Sequence, residues 1–173
     1  MRVNLGCGPH YAAGWTNLDV IRLGEIQPDI IVEPMGPWPF EDGTVDQFYA
    51  GHVLEHIPWG DVPVLMAEVC RVLRPGGQFL SVGPDVFRMV RGFGVDHWLT
   101  RMGLEDDISY QTEGASWDGA RHKWNAYEER IGRVLDDAGL TDVTAIPMDE
   151  LLAFGDWPVV SDVGWQCAVV GTR

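Results

Sequence analysis

Short apolar runs alternate with stretches of helical period along most of the chain, which predicts a mostly parallel sheet with helices on both faces. Arg2–Leu5 reads as the first strand and runs into a glycine-rich loop, with Thr16–Val20 as the second strand and Ile30–Val32 as the third. Val45–Tyr49 is the fourth, opened by the turn Glu41-Asp42-Gly43. A helix should follow, with Asp61 as N-cap and Leu65, Val69, Val72 and Leu73 along one face. Arg74-Pro75-Gly76-Gly77 should end it, because proline cannot continue a helix and glycine permits a left-handed exit. Gln78–Val82 is the fifth strand. Asn125, with Glu128 three positions on, has the form of a capping box for a helix through Ile131, Val134 and Leu135 to Gly139. Val143–Ile146 and Gln166–Gly171 complete seven strands, the last expected to be antiparallel, and a short helix fits near Glu150–Phe154.

Between Gly83 and Lys123 the periodicity fades, and a segment that long inside one domain reads as a lid or acceptor-binding insertion. Trp98, Tyr110, Trp117 and Trp124 in or beside it would stack on a sugar or aromatic acceptor, or else form a small satellite core. Arg88, Arg91, Arg101, Arg121 and Lys123 share the stretch with acids, so no charge preference for the acceptor follows.

At 173 residues the chain forms one domain, 1–173, rather than two. Its net charge of −14 argues against a nucleic-acid backbone as partner, since phosphate contacts need basic surface. Nothing approaches the roughly 18 apolar residues of a membrane span. The strand pattern beginning at Arg2 leaves no room for a leader, so a cytoplasmic location is expected. Cys7, Cys70 and Cys167 are widely spaced, and read as buried thiols rather than disulfides or zinc ligands.

The most informative segment is Val3-Asn4-Leu5-Gly6-Cys7-Gly8, a strand ending in G-x-G, where the missing Cβ atoms let the backbone approach a ligand. Taken alone it is equally a tight turn. Asp19, at the end of the second strand, adds a carboxylate able to accept both hydroxyls of a ribose. Asp19 follows Gly8 by 11 residues, whereas dinucleotide folds use about 20, so the first crossover is abbreviated and a nicotinamide dinucleotide is disfavoured.

Val3–Asp19, Trp38-Pro39-Phe40-Glu41-Asp42, His52-Val53-Leu54-Glu55-His56 and Val72-Leu73-Arg74-Pro75-Gly76-Gly77, in that order, resemble a class I S-adenosylmethionine-dependent methyltransferase. The similarity is to the small bacterial, type 11-like branch with a short first crossover and a G-W-x-N-L-D second strand, here Gly14–Asp19. It covers residues 2–85 and returns at His122–Val143. The resemblance implies a Rossmann-like fold, S-adenosylmethionine as cofactor and S-adenosylhomocysteine as product. It places Asn4, Gly6, Cys7 and Gly8 around the amino-acid end of the cofactor and Asp19 and Val20 at the ribose. Glu33 and Met35 would lie by the adenine, and Gly51 and His52 near the methionine carboxylate and sulfonium.

His52-Val53-Leu54-Glu55-His56 also spells H-x-x-E-H, but Pro58 limits any helix there to little more than a turn, against a zinc-peptidase site. The favoured reading has Glu55 and His56 packing beneath the cofactor loop, with no metal ligand assigned; a metal-assisted methyltransferase using His52, Glu55 and His56 is an alternative. Methyl transfer to oxygen or nitrogen needs proximity and a base, for which His52, His122 and Asp85 are the candidates and His97 a weaker one. The expected acceptor is a small molecule or a glycan moiety. From a different class, the same fold could serve as a non-catalytic nucleotide-binding or regulatory module.

Overall fold

The computed structural model describes residues 1–22, 25, 27–95, 122–159 and 164–173. Seven strands form one sheet: β1 (Arg2–Leu5), β2 (Thr16–Asp19), β3 (Ile30–Ile31), β4 (Val45–Gly51), β5 (Leu73–Pro84), β6 (Thr141–Ile146) and β7 (Gln166–Thr172). Their order is β3-β2-β1-β4-β5-β7-β6. Pairings among β1 to β5 are parallel, and β7 runs antiparallel to both β5 and β6. The strand order reverses direction between β1 and β4, the switch point outside which ligands settle in open α/β sheets.

Period-two alternation gives the sheet two unlike faces. Val3, Leu5, Leu18, Phe48, Ala50, Phe79, Cys167 and Val169 join one core with helices α1 (Val62–Val72) and α3 (Glu128–Asp137). Leu80, Val82, Ala168 and Val170 join a second, closed among the described residues by Trp15, Ile146 and Leu151 of the 3₁₀ turn Leu151–Ala153. On that second face β1 and β2 contribute Asn4, Asn17 and Asp19, all buried.

Three differences from the sequence pattern have local causes. Leu73 opens β5 instead of closing α1: it pairs with Val45, and pairing resumes only at Gln78–Gln47, so Arg74-Pro75-Gly76-Gly77 forms a bulge. A Cβ on Gly77 would sit 2.9 Å from the carbonyl oxygens of both Arg74 and Val45, so this bulge admits only glycine there. Helix α2 (Val86–Phe93) occupies the start of the stretch that looked irregular, and its N-cap is Asp85, which accepts from the Arg88 N–H at 2.9 Å. Asn125 does not cap α3, whose first residue is Glu128 and whose N-cap is Tyr127. The remote Asp85 accepts the Glu128 N–H at 3.3 Å and Arg88 pairs with the Glu128 carboxylate at 2.6 Å, a tertiary cap in place of a local one.

The segment Trp38–Asp42 lies on the α1 face. Trp38 stacks on Phe48 with ring centroids 5.2 Å apart, and its N–H donates to Glu68 at 2.6 Å. Arg71 grips Glu68 through both carboxylate oxygens and also reaches Asp42 and the Phe40 carbonyl.

Candidate functional site

The loop after β1 is held by side chains, since residues 6–15 contain no helix. Asn17 lies fully buried on β2, and its Oδ1 accepts from Asn4 Nδ2 at 2.9 Å and from the Ala12 N–H at 2.8 Å. Its amide group donates to the Ala12 and Trp15 carbonyls and to Asp29, whose other oxygen accepts from Tyr11. Burial acts to raise the Asp29 pKa, but hydrogen bonds from Asn17 and Tyr11 outweigh it and hold the carboxyl below its ordinary value. Asn4 is therefore occupied in fastening the loop, donating also to the His10 carbonyl at 3.3 Å.

That fastening sets the ligand-facing elements. Gly6 and Gly8 both take left-handed backbone, φ 64° and 49°, which favours glycine. A Cβ on Gly6 would press 2.5 Å from Val53, whereas one on Gly8 would meet nothing within 4 Å, so open space fronts the second glycine. Asp19 Oδ2 accepts the Gly8 N–H at 2.8 Å while Oδ1 accepts those of Val20 and Ile21. The loop and the carboxylate at the β2 end thus form one unit. Cys7 between the glycines is buried, and burial with the fields of Asp19 and Asp29 pushes its thiol up to about 11, which leaves it protonated and inert. Beyond β3, Glu33 is exposed with its carbonyl accepting from Trp38 Nε1, and Met35 packs partly buried against the core.

At the carboxyl end of β4, the Tyr49 hydroxyl fills the place a side chain on Gly51 would need. Burial, reinforced by Glu55, raises the Tyr49 pKa, so the phenol keeps its proton. His52 follows in left-handed backbone, φ 55°, a conformation disfavoured for a side-chain-bearing residue and held here by its N–H bond to the Val82 carbonyl at 2.7 Å. Its half-exposed ring lies edge-on to Trp165, centroids 5.7 Å apart, and meets the Gln166 amide.

The 3₁₀ turn Leu54–His56 comes next and buries Glu55 almost completely. His52 Nδ1 lies 3.3 Å and His56 Nε2 4.0 Å from Glu55 Oε1. Burial alone would raise the Glu55 pKa; the neighbouring His52, with the fields of His56 and His122, wins and holds the carboxyl at about 2. His122 packs edge-on against His56, centroids 4.8 Å apart. Its burial pushes its pKa down to about 4, which leaves the ring neutral.

Of the expected catalytic groups, His52 alone stands beside the glycine-loop end of the sheet with an accessible ring. Asp85 is buried with both oxygens engaged at helix N-termini, and His122 sits with Glu55 and His56. Trp124 is core: its indole N–H donates to the Leu54 and Ile57 carbonyls. His97, Trp98, Tyr110 and Trp117, and with them most of the expected insertion, lie outside the described residues. Gln166 and Trp165 were not legible as neighbours of His52, because only the antiparallel return of β7 beside β5 brings them there.

A methyltransferase-domain family model matches residues 10–81, the stretch carrying β2, β3, β4, α1 and most of β5. Over that stretch the chain is similar to the methyltransferase-domain family. Solved structures share the whole architecture. A methyltransferase from Archaeoglobus fulgidus aligns with a TM-score of 0.61 at 9% identity, over 99% of this chain and 85% of its own. Geranyl diphosphate C-methyltransferase from Streptomyces coelicolor A3(2) aligns at 0.55 and 15% identity, over 99% and 71%. A phosphoethanolamine N-methyltransferase from Haemonchus contortus aligns at 0.54 and 13%, over 100% of this chain and 50% of its own. The shared fold thus serves a carbon methyltransferase and a nitrogen methyltransferase alike. A comparison with curated proteins finds no significant match. Among the described residues no helix is long and apolar enough to cross a membrane.

Proposed function

We propose that this methyltransferase domain moves a methyl group from S-adenosylmethionine to an oxygen or nitrogen of a small-molecule or glycan acceptor. The observation that carries the reading is the joined unit of Gly6, Gly8 and Asp19 at the switch point of the sheet, with open space before Gly8. In it, Gly6, Cys7 and Gly8 wrap the amino-acid end of the cofactor, Asp19 with Val20 holds the ribose, and Glu33 and Met35 flank the adenine. S-adenosylmethionine, when bound, supplies an electrophilic methyl on a sulfonium.

The chain contributes position and a base. Gly51 leaves room at the β4 end for the Tyr49 hydroxyl, and His52 presents a partly exposed imidazole, a side chain able to take a proton from an acceptor. His122, with its pKa down near 4, is too weak a base for that task. Asp85 acts as the cap that locks α2 and α3 to the end of β5. A base at His52 supports an oxygen or nitrogen acceptor, since those nucleophiles shed a proton on methylation.

Calorimetric titration with S-adenosylhomocysteine tests the cofactor assignment. Micromolar binding, about −8 kcal/mol, is expected. Asp19→Ala should weaken it by about 1.5–3 kcal/mol, the worth of charge-assisted hydrogen bonds. Equal affinity in the variant would refute the ribose assignment. Loss of turnover on His52→Ala with cofactor affinity intact would support the base.

A further inference from the structure

Below the carboxyl ends of β4 and β5, one carboxylate and two imidazoles converge from distant parts of the chain. Glu55 and His56 come from the 3₁₀ turn after β4, and His122 comes from the segment leading into α3. One donor atom from each lies within 4.8 Å of the others. The meeting is anchored by the two residues that follow His122: the Lys123 N–H donates to the Glu55 carbonyl at 2.7 Å, and the Trp124 indole N–H donates to the Leu54 and Ile57 carbonyls at 3.0 and 3.1 Å.

Two buried polar atoms of the cluster complete no hydrogen bond among the described residues. Glu55 is 1% exposed; its Oε1 lies 3.3 Å from His52 Nδ1 and 4.0 Å from His56 Nε2 without a well-aligned hydrogen bond, and the buried Nδ1 of His56 has none among the described residues. A buried carboxylate oxygen without a donor costs free energy unless a cation meets it. Its carboxylate lies beside Gly83 of β5, where an added Cβ would come within 3.5 Å of Oε2 and 3.9 Å of Oε1. His56 turns Nε2 toward Glu55 Oε1 at 4.0 Å, and one nitrogen of each imidazole lies within 4.8 Å of a Glu55 oxygen.

We propose that Glu55, His56 and His122 form a binding site for a divalent transition metal of the zinc type. Two imidazoles and one carboxylate are a donor set that zinc accepts in four-coordinate geometry, with a fourth position left for water. Zinc-to-ligand bonds of about 2.0–2.1 Å put tetrahedral donors about 3.4 Å apart, so the side chains close on the ion by about 1.4 Å from the observed limit. The metal site is independent of the methyl-transfer reading. Only the further use of the open position for an acceptor hydroxyl rests on that reading.

Cobalt(II) titration of the full chain, followed by the visible absorption of tetrahedral cobalt, tests the site directly. One saturable equivalent per chain is expected, displaced by zinc. Glu55→Gln, His56→Ala and His122→Ala should each weaken cobalt binding by at least about 10-fold, while His10→Ala, on the exposed loop after β1, should leave it unchanged. Circular dichroism identifies any variant that does not fold. If Glu55→Gln fails to fold, the two histidine variants decide. No saturable binding by the wild type, or equal affinity in the folded ligand variants, would overturn the site. S-adenosylhomocysteine titrated in parallel separates this failure from a failure of the cofactor assignment, since cofactor affinity in His56→Ala should stay within about twofold.

Discussion

The two halves of the sheet are held together by different physics. From β4 through β7, strands are joined across helices, and α1 and α3 bury Leu65, Val69, Ile131 and Leu135 against Phe48 and Phe79. From β1 to β3, the described connections contain no helix. There the sheet's second face carries Asn4, Asn17 and Asp19, and a web of side-chain-to-backbone hydrogen bonds holds the loop a crossover helix would otherwise hold. Apolar packing is additive and forgiving of direction, whereas a buried polar web works only when every donor and acceptor is met. The polar half is the half that bears the glycine loop, and it fixes that loop's backbone in place atom by atom.

Substitutions should separate the halves. Phe48→Ala, removing a fully buried ring from the helical half, should lower unfolding stability by about 3–5 kcal/mol in chemical denaturation. Its effect on amide protection should spread over both halves, because β4 lies at the centre of the sheet. Asn17→Ala should cost about 2–3 kcal/mol, since it strands buried backbone groups of Ala12 and Trp15. That loss should come with selectively faster hydrogen exchange in residues 6–15 and weaker binding of S-adenosylhomocysteine. A uniform loss of protection in Asn17→Ala would show that the web is no more local than the core.

The acid limb sharpens the comparison at a third place, the clamp between α1 and the Trp38–Asp42 segment. Hydrogen bonds from Arg71, then the Trp38 N–H, hold the Glu68 carboxyl below its ordinary pKa against the cost of burial. A depressed carboxylate stabilises fully above its unfolded value, about 4.3 for glutamate, and loses that contribution as pH falls through the folded value. Glu68→Gln should therefore be less stable than wild type by about 1–2 kcal/mol at pH 7, the difference shrinking in acid denaturation below about pH 4. The smallest effect is expected for Arg2→Ala. Arg2 lies over the Trp15 ring, 5.0 Å from its centroid, at the exposed edge of the polar half. Its removal should shift stability by only about 0.5–1 kcal/mol.

Strands and the first long helix could be read directly where local pattern and packing agree. β1, β2, β4 and β7 lie within two residues of the apolar runs that announced them, because each run is bounded by glycine or turn residues and buried by alternation. The reading failed where the partner is remote. The Asn125–Glu128 box lost to Asp85, more than forty residues earlier, because Asp85 offers a rigid buried acceptor already fixed at the end of β5. Trp124, read as an acceptor platform or part of a satellite core, belongs to the main core and docks the approach to α3 on the turn after β4.

By itself the sequence determined the period of each element, the glycine loop after the first strand and the acid at the end of the second, all properties of neighbours along the chain. Tertiary structure decided which of those groups share a space. It bound Asn4 and Asn17 into the fastening of the loop, set Gln166 and Trp165 against His52, and carried His122 to Glu55 and His56. Those meetings depend on strand order and on the antiparallel return of β7, and a linear pattern holds no record of which strand ends will lie side by side.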